Sequence, residues 1–78
     1  MKVNPRLAAI ASKIFKVNPR ELSLRSSTDT IEKWDSLSHL QFILKVEQKF
    51  GVKFLTREIP EFTSLDRLQK SLDKKGVL

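Results

Sequence analysis

Residues 34–51 read Trp34-Asp35-Ser36-Leu37-Ser38-His39-Leu40-Gln41-Phe42-Ile43-Leu44-Lys45-Val46-Glu47-Gln48-Lys49-Phe50-Gly51. The pattern predicts a helix from Ser36 to Phe50. Asp35 is a favoured N-cap type, placed to accept the backbone N–H of Ser38. Gly51 follows the last apolar residue, where a left-handed cap favours glycine. Positions three, four and seven apart share a side of a helix, so Leu37, Leu40, Ile43, Leu44, Val46 and Phe50 are expected to form a wide apolar arc. Ser38, Gln41, Lys45, Gln48 and Lys49 fall on the opposite face, with Phe42 at the border. Glu47 falls inside the arc, where a salt bridge at the edge of the core is the plain expectation.

Working outward, Asn4-Pro5 opens a first helix, since Asn caps well and Pro suits the first helical position. Leu7, Ile10, Ala11 and Ile14 follow at helical spacing with Phe15 beside them, and Asn18-Pro19 is expected to stop the helix. Residues 18–34 read as a long loop anchored by Leu22, Leu24 and Ile31. Residues 25–30 are polar and turn-forming, and a single helical turn is expected over residues 19–22. Beyond Gly51, Val52-Lys53-Phe54 is a short extended link, and residues 56–61 are expected as a short helix broken by Pro60. Thr63 or Ser64 caps a last helix with Leu65, Leu68 and Leu72 on one stripe, ended by Gly76. The expected fold is all-α: a small three-to-four-helix bundle with a long loop between the first two main helices. Across that bundle, Leu40, Ile43 and Phe50 are expected to face Ile10, Ile14 and Leu68 or Leu72.

A chain of 78 residues makes one domain, 1–78. A domain this small hides only about 60% of its unfolded surface, which leaves little room for a deep pocket with a buried catalytic set. The chain has no Cys and one His, which excludes disulfides, thiolate metal sites and His-rich metal sites. No stretch approaches the ~20 apolar residues of a membrane span, and no signal peptide is read, so the expected location is the cytoplasm. The net charge of +6 admits a second reading, a small basic helical nucleic-acid-binding domain. The distribution weakens it. No dense Arg/Lys run occurs, and the best helix carries no Arg and two Lys, so no nucleic-acid partner is expected.

The stretch Trp34-Asp35-Ser36-Leu37, placed after a long loop and at the head of a helix closed by Phe50-Gly51-Val52, resembles the Asp-Ser-Leu signature of acyl carrier proteins and related carrier domains. The resemblance covers nearly the whole chain, since the helices and the loop follow the family's order. It implies a bundle of acyl carrier type with 4′-phosphopantetheine attached covalently to Ser36 by a phosphopantetheinyl transferase. It implies a shuttle with no catalytic activity of its own, bearing acyl or related intermediates as thioesters. Its partners would be that transferase and acyl-loading or acyl-transferring enzymes, and the carrier is expected to be a monomer. In the family the residue matching Asp35 helps the transferase dock. Leu37 is expected as an exposed partner contact, and Ser38, Gln41, Lys45, Gln48 and Lys49 as the partner-recognition face. Carriers of fatty acid synthesis are strongly acidic on this helix and this one is not, which points to a specialised biosynthetic pathway.

Helix capping alone would also explain a Ser at this position. The whole-chain layout favours modification. Trp34 is expected as a packing anchor that pins the loop to the helix. His39 lies three residues after Ser36, yet a Ser–His nucleophile is rejected because no carboxylate is placed to orient the imidazole. His39 reads instead as a polar helix residue near the arm. A third reading is a scaffold that kept the carrier fold without the arm.

Overall fold

A computed structural model describes residues 3–78. The protein is a small all-α helical bundle. Helix α1 spans Pro5–Phe15, α2 spans Ser36–Phe50 and α3 spans Leu65–Lys74. Single 3₁₀ turns stand at Pro19–Glu21 and Ile59–Glu61.

The caps follow local chemistry. Asn4 Oδ1 accepts the Arg6 backbone N–H at 2.9 Å, with Pro5 in the first turn. Helix α1 stops at Phe15, earlier than the expected halt at Asn18-Pro19. Lys16 takes a left-handed conformation with φ 54°, and its N–H returns to the Ser12 carbonyl. Asn18 caps the following 3₁₀ turn instead. Its side chain accepts from Arg20, and Glu21 reaches back to the Asn18 N–H. Gly51 ends α2 with φ 66°. A side chain there would meet no neighbour, so it is the backbone angle alone that favours glycine. Ser64, rather than Thr63, caps α3 by accepting from Arg67 at 3.3 Å.

The long loop is tied down by backbone bonds to the head of α3. Leu65 N–H donates to the Ser26 carbonyl at 3.0 Å and Asp66 N–H to the Leu24 carbonyl at 3.2 Å. These donors belong to the first turn of α3, where no intrahelical acceptor exists. Thr28 N–H donates to the Thr63 carbonyl at 3.0 Å beside an antiparallel bridge of Ser27 with Ser64. Ile31 is buried, while Leu22 and Leu24 are half-buried.

Helix α1 packs along α2, and α3 adds Leu65, Leu68 and Leu72 to one core with Leu7, Ile10 and Ala11. At the centre, Phe15 stacks on Trp34 with ring centroids 4.6 Å apart, and Phe42 meets Phe15 edge-on at 5.0 Å and Trp34 at 5.6 Å.

Helix α2 is rotated relative to the expected arc. Its buried residues are Phe42, Ile43, Val46 and Phe50. Phe42 is fully buried, not at the border. Leu37, Leu40 and Leu44 are exposed at 68%, 47% and 51%, so Leu40 does not face α1 or α3 in the core. Ile14 is only half-buried at the rim. The rotation is set by the rings: turning Phe42 inward to meet Phe15 and Trp34 turns the leucines out. Glu47 forms no salt bridge among the described residues. Its Oε2 accepts the Phe54 backbone N–H at 2.8 Å, fixing the link after α2. Residues 56–58 form a turn, and Pro60 sits within the 3₁₀ turn that replaces the expected short helix.

Candidate functional site

The head of α2 separates two serines. Asp35 Oδ1 accepts the Ser38 backbone N–H and the Ser38 hydroxyl, both at 2.9 Å. The hydroxyl of Ser38 is therefore committed to the cap. Ser36, the first residue of the helix, is exposed, and its hydroxyl has no hydrogen-bond partner among the described residues. Of the two, Ser36 is the one an incoming reagent can reach and use. The backbone N–H of Ser38 first, then its hydroxyl, holds the Asp35 carboxyl below its ordinary value, with slight burial opposing. The capping carboxylate is thus charged at neutral pH, beside the positive end of the helix dipole.

Trp34 is 3% exposed and carries the expected anchoring role. Its indole Nε1–H donates to His39 Nδ1 at 2.9 Å. An indole N–H can only donate, so Nδ1 accepts and the imidazole proton sits on Nε2. That nitrogen donates to the Ile59 carbonyl at 2.7 Å. His39 thus joins the loop, α2 and the Ile59–Glu61 turn. Both ring nitrogens are occupied, so neither is free to take a proton from Ser36. The Ser–His nucleophile reading fails on this geometry.

An open groove of about 590 Å³ begins at Ser36, with walls that include Trp34, Leu40, Ile59 and Pro60. A chain attached to Ser36 Oγ would have this groove on one side and solvent on the other. The site therefore fits a flexible covalent arm: an accessible unpartnered hydroxyl, a rigid helix beneath it and a shallow surface beside it.

The remaining expected residues lie on α2 around its solvent side. Gln41, Lys45, Gln48 and Lys49 are exposed, and Ser38 is half-buried. Leu37, Leu40 and Leu44, at i, i+3 and i+7, form an exposed apolar stripe among Gln41 and Gln48. Lys45 and Lys49 lie on the α1 side, sharing a groove with Lys13. Leu40 and Leu44, expected in the apolar arc, emerge as surface residues, and of the two only Leu40 lines the groove at Ser36. The available signal was an excess of apolar positions: α2 carries two stripes, and one helix side buries only one of them.

Among the described residues, no group of His, Asp or Glu is arranged to hold a metal ion. No helix there is long and apolar enough to cross a membrane. No protein-family model matches the chain, and no curated protein matches it either.

Proposed function

We propose that this protein is an acyl carrier protein, bearing 4′-phosphopantetheine on Ser36 and having no catalytic activity of its own. The observation that carries the reading is the contrast between Ser36 and Ser38. Ser36 Oγ stands exposed and unpartnered at the head of α2, while Ser38 Oγ is tied to Asp35. A modifying enzyme needs a hydroxyl that it can approach and deprotonate without first breaking the fold. Ser36 meets that requirement. The phosphodiester so formed would lie near the positive end of the α2 dipole.

The cofactor supplies a thiol on a flexible arm, on which cargo travels as a thioester. The protein's own residues hold the attachment point. Asp35 and Ser38 fix the first turn, Trp34 and His39 fix the loop in front of it, and Leu37 with Leu40 and Leu44 offers apolar contact to visiting enzymes. Those partners are a phosphopantetheinyl transferase and enzymes that load or transfer acyl groups. Lys13, Lys45 and Lys49 give the α1 flank a positive charge, which suits partners with acidic rims and a specialised pathway. A monomeric, cytoplasmic shuttle agrees with this reading. Incubation with coenzyme A and a permissive transferase, followed by intact mass measurement, tests it: one phosphopantetheine group should be gained.

The net charge of +6 favours a second reading, nucleic-acid binding. Helix α2 has only Lys45 and Lys49 as basic residues, with leucines on its solvent side, which is poor equipment for a phosphate backbone. A DNA titration at low and moderate salt tests that alternative.

A further inference from the structure

Helices α1 and α2 pack side by side, and a groove of about 240 Å³ lies between them. Its walls are Ala9, Ile10, Lys13 and Ile14 of α1 with Lys45 and Lys49 of α2. Ile10 is buried and Ile14 half-buried, so the groove is apolar at depth, while the three lysines are exposed.

The charge here is not neutralised from within. Helix α1 contains no Asp or Glu. The sole acid of α2 is Glu47, about half a turn round the helix from both Lys45 and Lys49, and its carboxylate is committed to the Phe54 backbone N–H at 2.8 Å. None of the three ammonium groups has an ion-pair partner among the described residues. Lys45 and Lys49 stand at i and i+4, where like charges repel. Arg6, about two turns before Lys13, is by contrast already engaged. Its guanidinium lies 4.7 Å from the Phe50 ring centroid and donates to the Val77 carbonyl at 3.1 Å.

The groove is also set apart from Ser36. At about 100° and 1.5 Å per residue, Lys45 stands about half a turn round α2 from Ser36 and about 14 Å along it. The exposed stripe of Leu37, Leu40 and Leu44 lies on a third side, about a third of a turn from the two lysines.

Three free cations around a recessed apolar seam select their occupant. A phosphate backbone would meet the lysines but put nothing apolar into the seam. A membrane surface takes apolar residues that protrude, and Ile10 and Ile14 recede. A helix with apolar residues on one side and carboxylates beside them satisfies both features, seating its side chains between α1 and α2 and pairing with the rim.

We infer that the groove of Lys13, Lys45 and Lys49 is a docking site for an acidic, amphipathic protein segment, placed so that a partner can hold the protein while Ser36 stays open. The docking does not depend on the carrier reading, whereas its use alongside a working Ser36 rests on that reading.

The probe is a fluorescein-labelled peptide of about 15 residues, with Leu at helical spacing and Glu elsewhere, long enough as a helix to lie along α1. It is titrated into the whole chain. Anisotropy should report binding that weakens as salt rises from ~50 to ~300 mM. Amide shifts should gather at Ala9, Lys13, Lys45 and Lys49 and leave Ser36 and Leu37 unmoved. Lys13→Glu with Lys45→Glu should lower the affinity at least ~10-fold. Lys53→Glu with Lys74→Glu makes the same change in net charge at exposed positions outside the groove, and should lower it less than ~3-fold. Should the first variant fail to fold, Lys13→Gln with Lys45→Gln is compared with Lys53→Gln with Lys74→Gln, and the groove pair should again show the larger loss. Equal losses in the two pairs, or no groove shifts at about 1 mM peptide, would overturn the inference. So would tighter binding to phosphatidylglycerol vesicles or duplex DNA, or groove shifts that grow with protein concentration alone, which would give the groove to a membrane, a nucleic acid or a second copy. Loading of Ser36 from coenzyme A by a permissive transferase should keep its rate with the peptide saturating, and a slowed rate would refute the separation of the two surfaces. A protein that accepts no arm fails the carrier reading alone, and the peptide titration still decides the docking site.

Discussion

The Trp34 indole N–H donates to His39 Nδ1 at 2.9 Å, joining the end of the long loop to the second turn of α2. The two rings also lie nearly parallel, with centroids 6.1 Å apart. Because His39 continues to the Ile59 carbonyl, one side chain holds three segments together.

Replacing it should be costly for a half-buried polar residue. His39→Ala removes one acceptor and one donor at once, leaving Trp34 Nε1–H and the Ile59 carbonyl to find water. Each unsatisfied buried group costs about 1–3 kcal/mol, and partial access to water reduces this, so a loss of about 2 kcal/mol is expected in urea unfolding. A loss of a few tenths of a kcal/mol would mean that neither bond matters to stability.

The rotation of α2 makes a contrasting pair of expectations. Ile43 is completely buried, whereas Leu40 and Leu44 are about half exposed. Ile43→Ala should cost about 2–5 kcal/mol through lost burial and the cavity it leaves. Leu40→Ala and Leu44→Ala should each stay within about 0.5 kcal/mol. Equal losses at all three positions in denaturant unfolding would place the leucines in the core after all.

Asp35 predicts a pH dependence at the head of α2. Hydrogen bonds from Ser38 depress its folded-state value, so the unfolded chain binds a proton more readily. The resulting stability is fully present above the unfolded carboxylate value of about 4 and is lost as pH falls through the folded value. Asp35→Asn keeps a neutral cap and lacks this term. The thermal midpoint of the wild type should exceed that of Asp35→Asn at pH 6, and the gap should shrink below pH ~4. A gap that widens on acidification would reverse the sign of the account.

Elements with local signals were legible in the sequence. Asn4-Pro5, Asp35, Gly51 and the Leu65, Leu68 and Leu72 stripe each act where their residue types dictate. The orientation of α2 was not legible. Leu37, Leu40 and Leu44 make one stripe, and Phe42, Ile43, Val46 and Phe50 make another. Only the rings of Phe15 and Trp34, from elsewhere in the chain, decide which turns inward. Glu47 shows the same limit, because its partner is a backbone N–H seven residues on. At the candidate site, the cap of Asp35 and the place of Ser36 at the helix head were readable from their order, whereas the pattern put Leu37 in the apolar arc and only the resemblance implied its exposure. The two hydrogen bonds of His39 and the groove toward Ile59 and Pro60 depend on tertiary placement.

The charge on α2 bears on partner choice. The resemblance to carriers implies that enzymes of fatty acid synthesis meet acidic residues with basic patches. Here Gln41 and Gln48 offer such patches no attraction, and Lys45 and Lys49, with Lys13 beside them, repel. Converting Gln41, Lys45, Gln48 and Lys49 together to Glu should raise kcat/KM for malonyl transfer by a fatty acid malonyltransferase. The gain should be large at low salt and shrink as salt rises. Equal rates at low salt, with both proteins folded and carrying the arm, would remove the charge argument.

The central claim is that Ser36 carries the arm, and intact mass spectrometry of three proteins tests it most directly. Wild type, Ser36→Ala and Ser38→Ala are each incubated with coenzyme A and a permissive phosphopantetheinyl transferase. The account predicts one added phosphopantetheine group on wild type and on Ser38→Ala, and none on Ser36→Ala. A folded Ser36→Ala protein that still gains the group, or a wild type that gains none with several transferases, would contradict it.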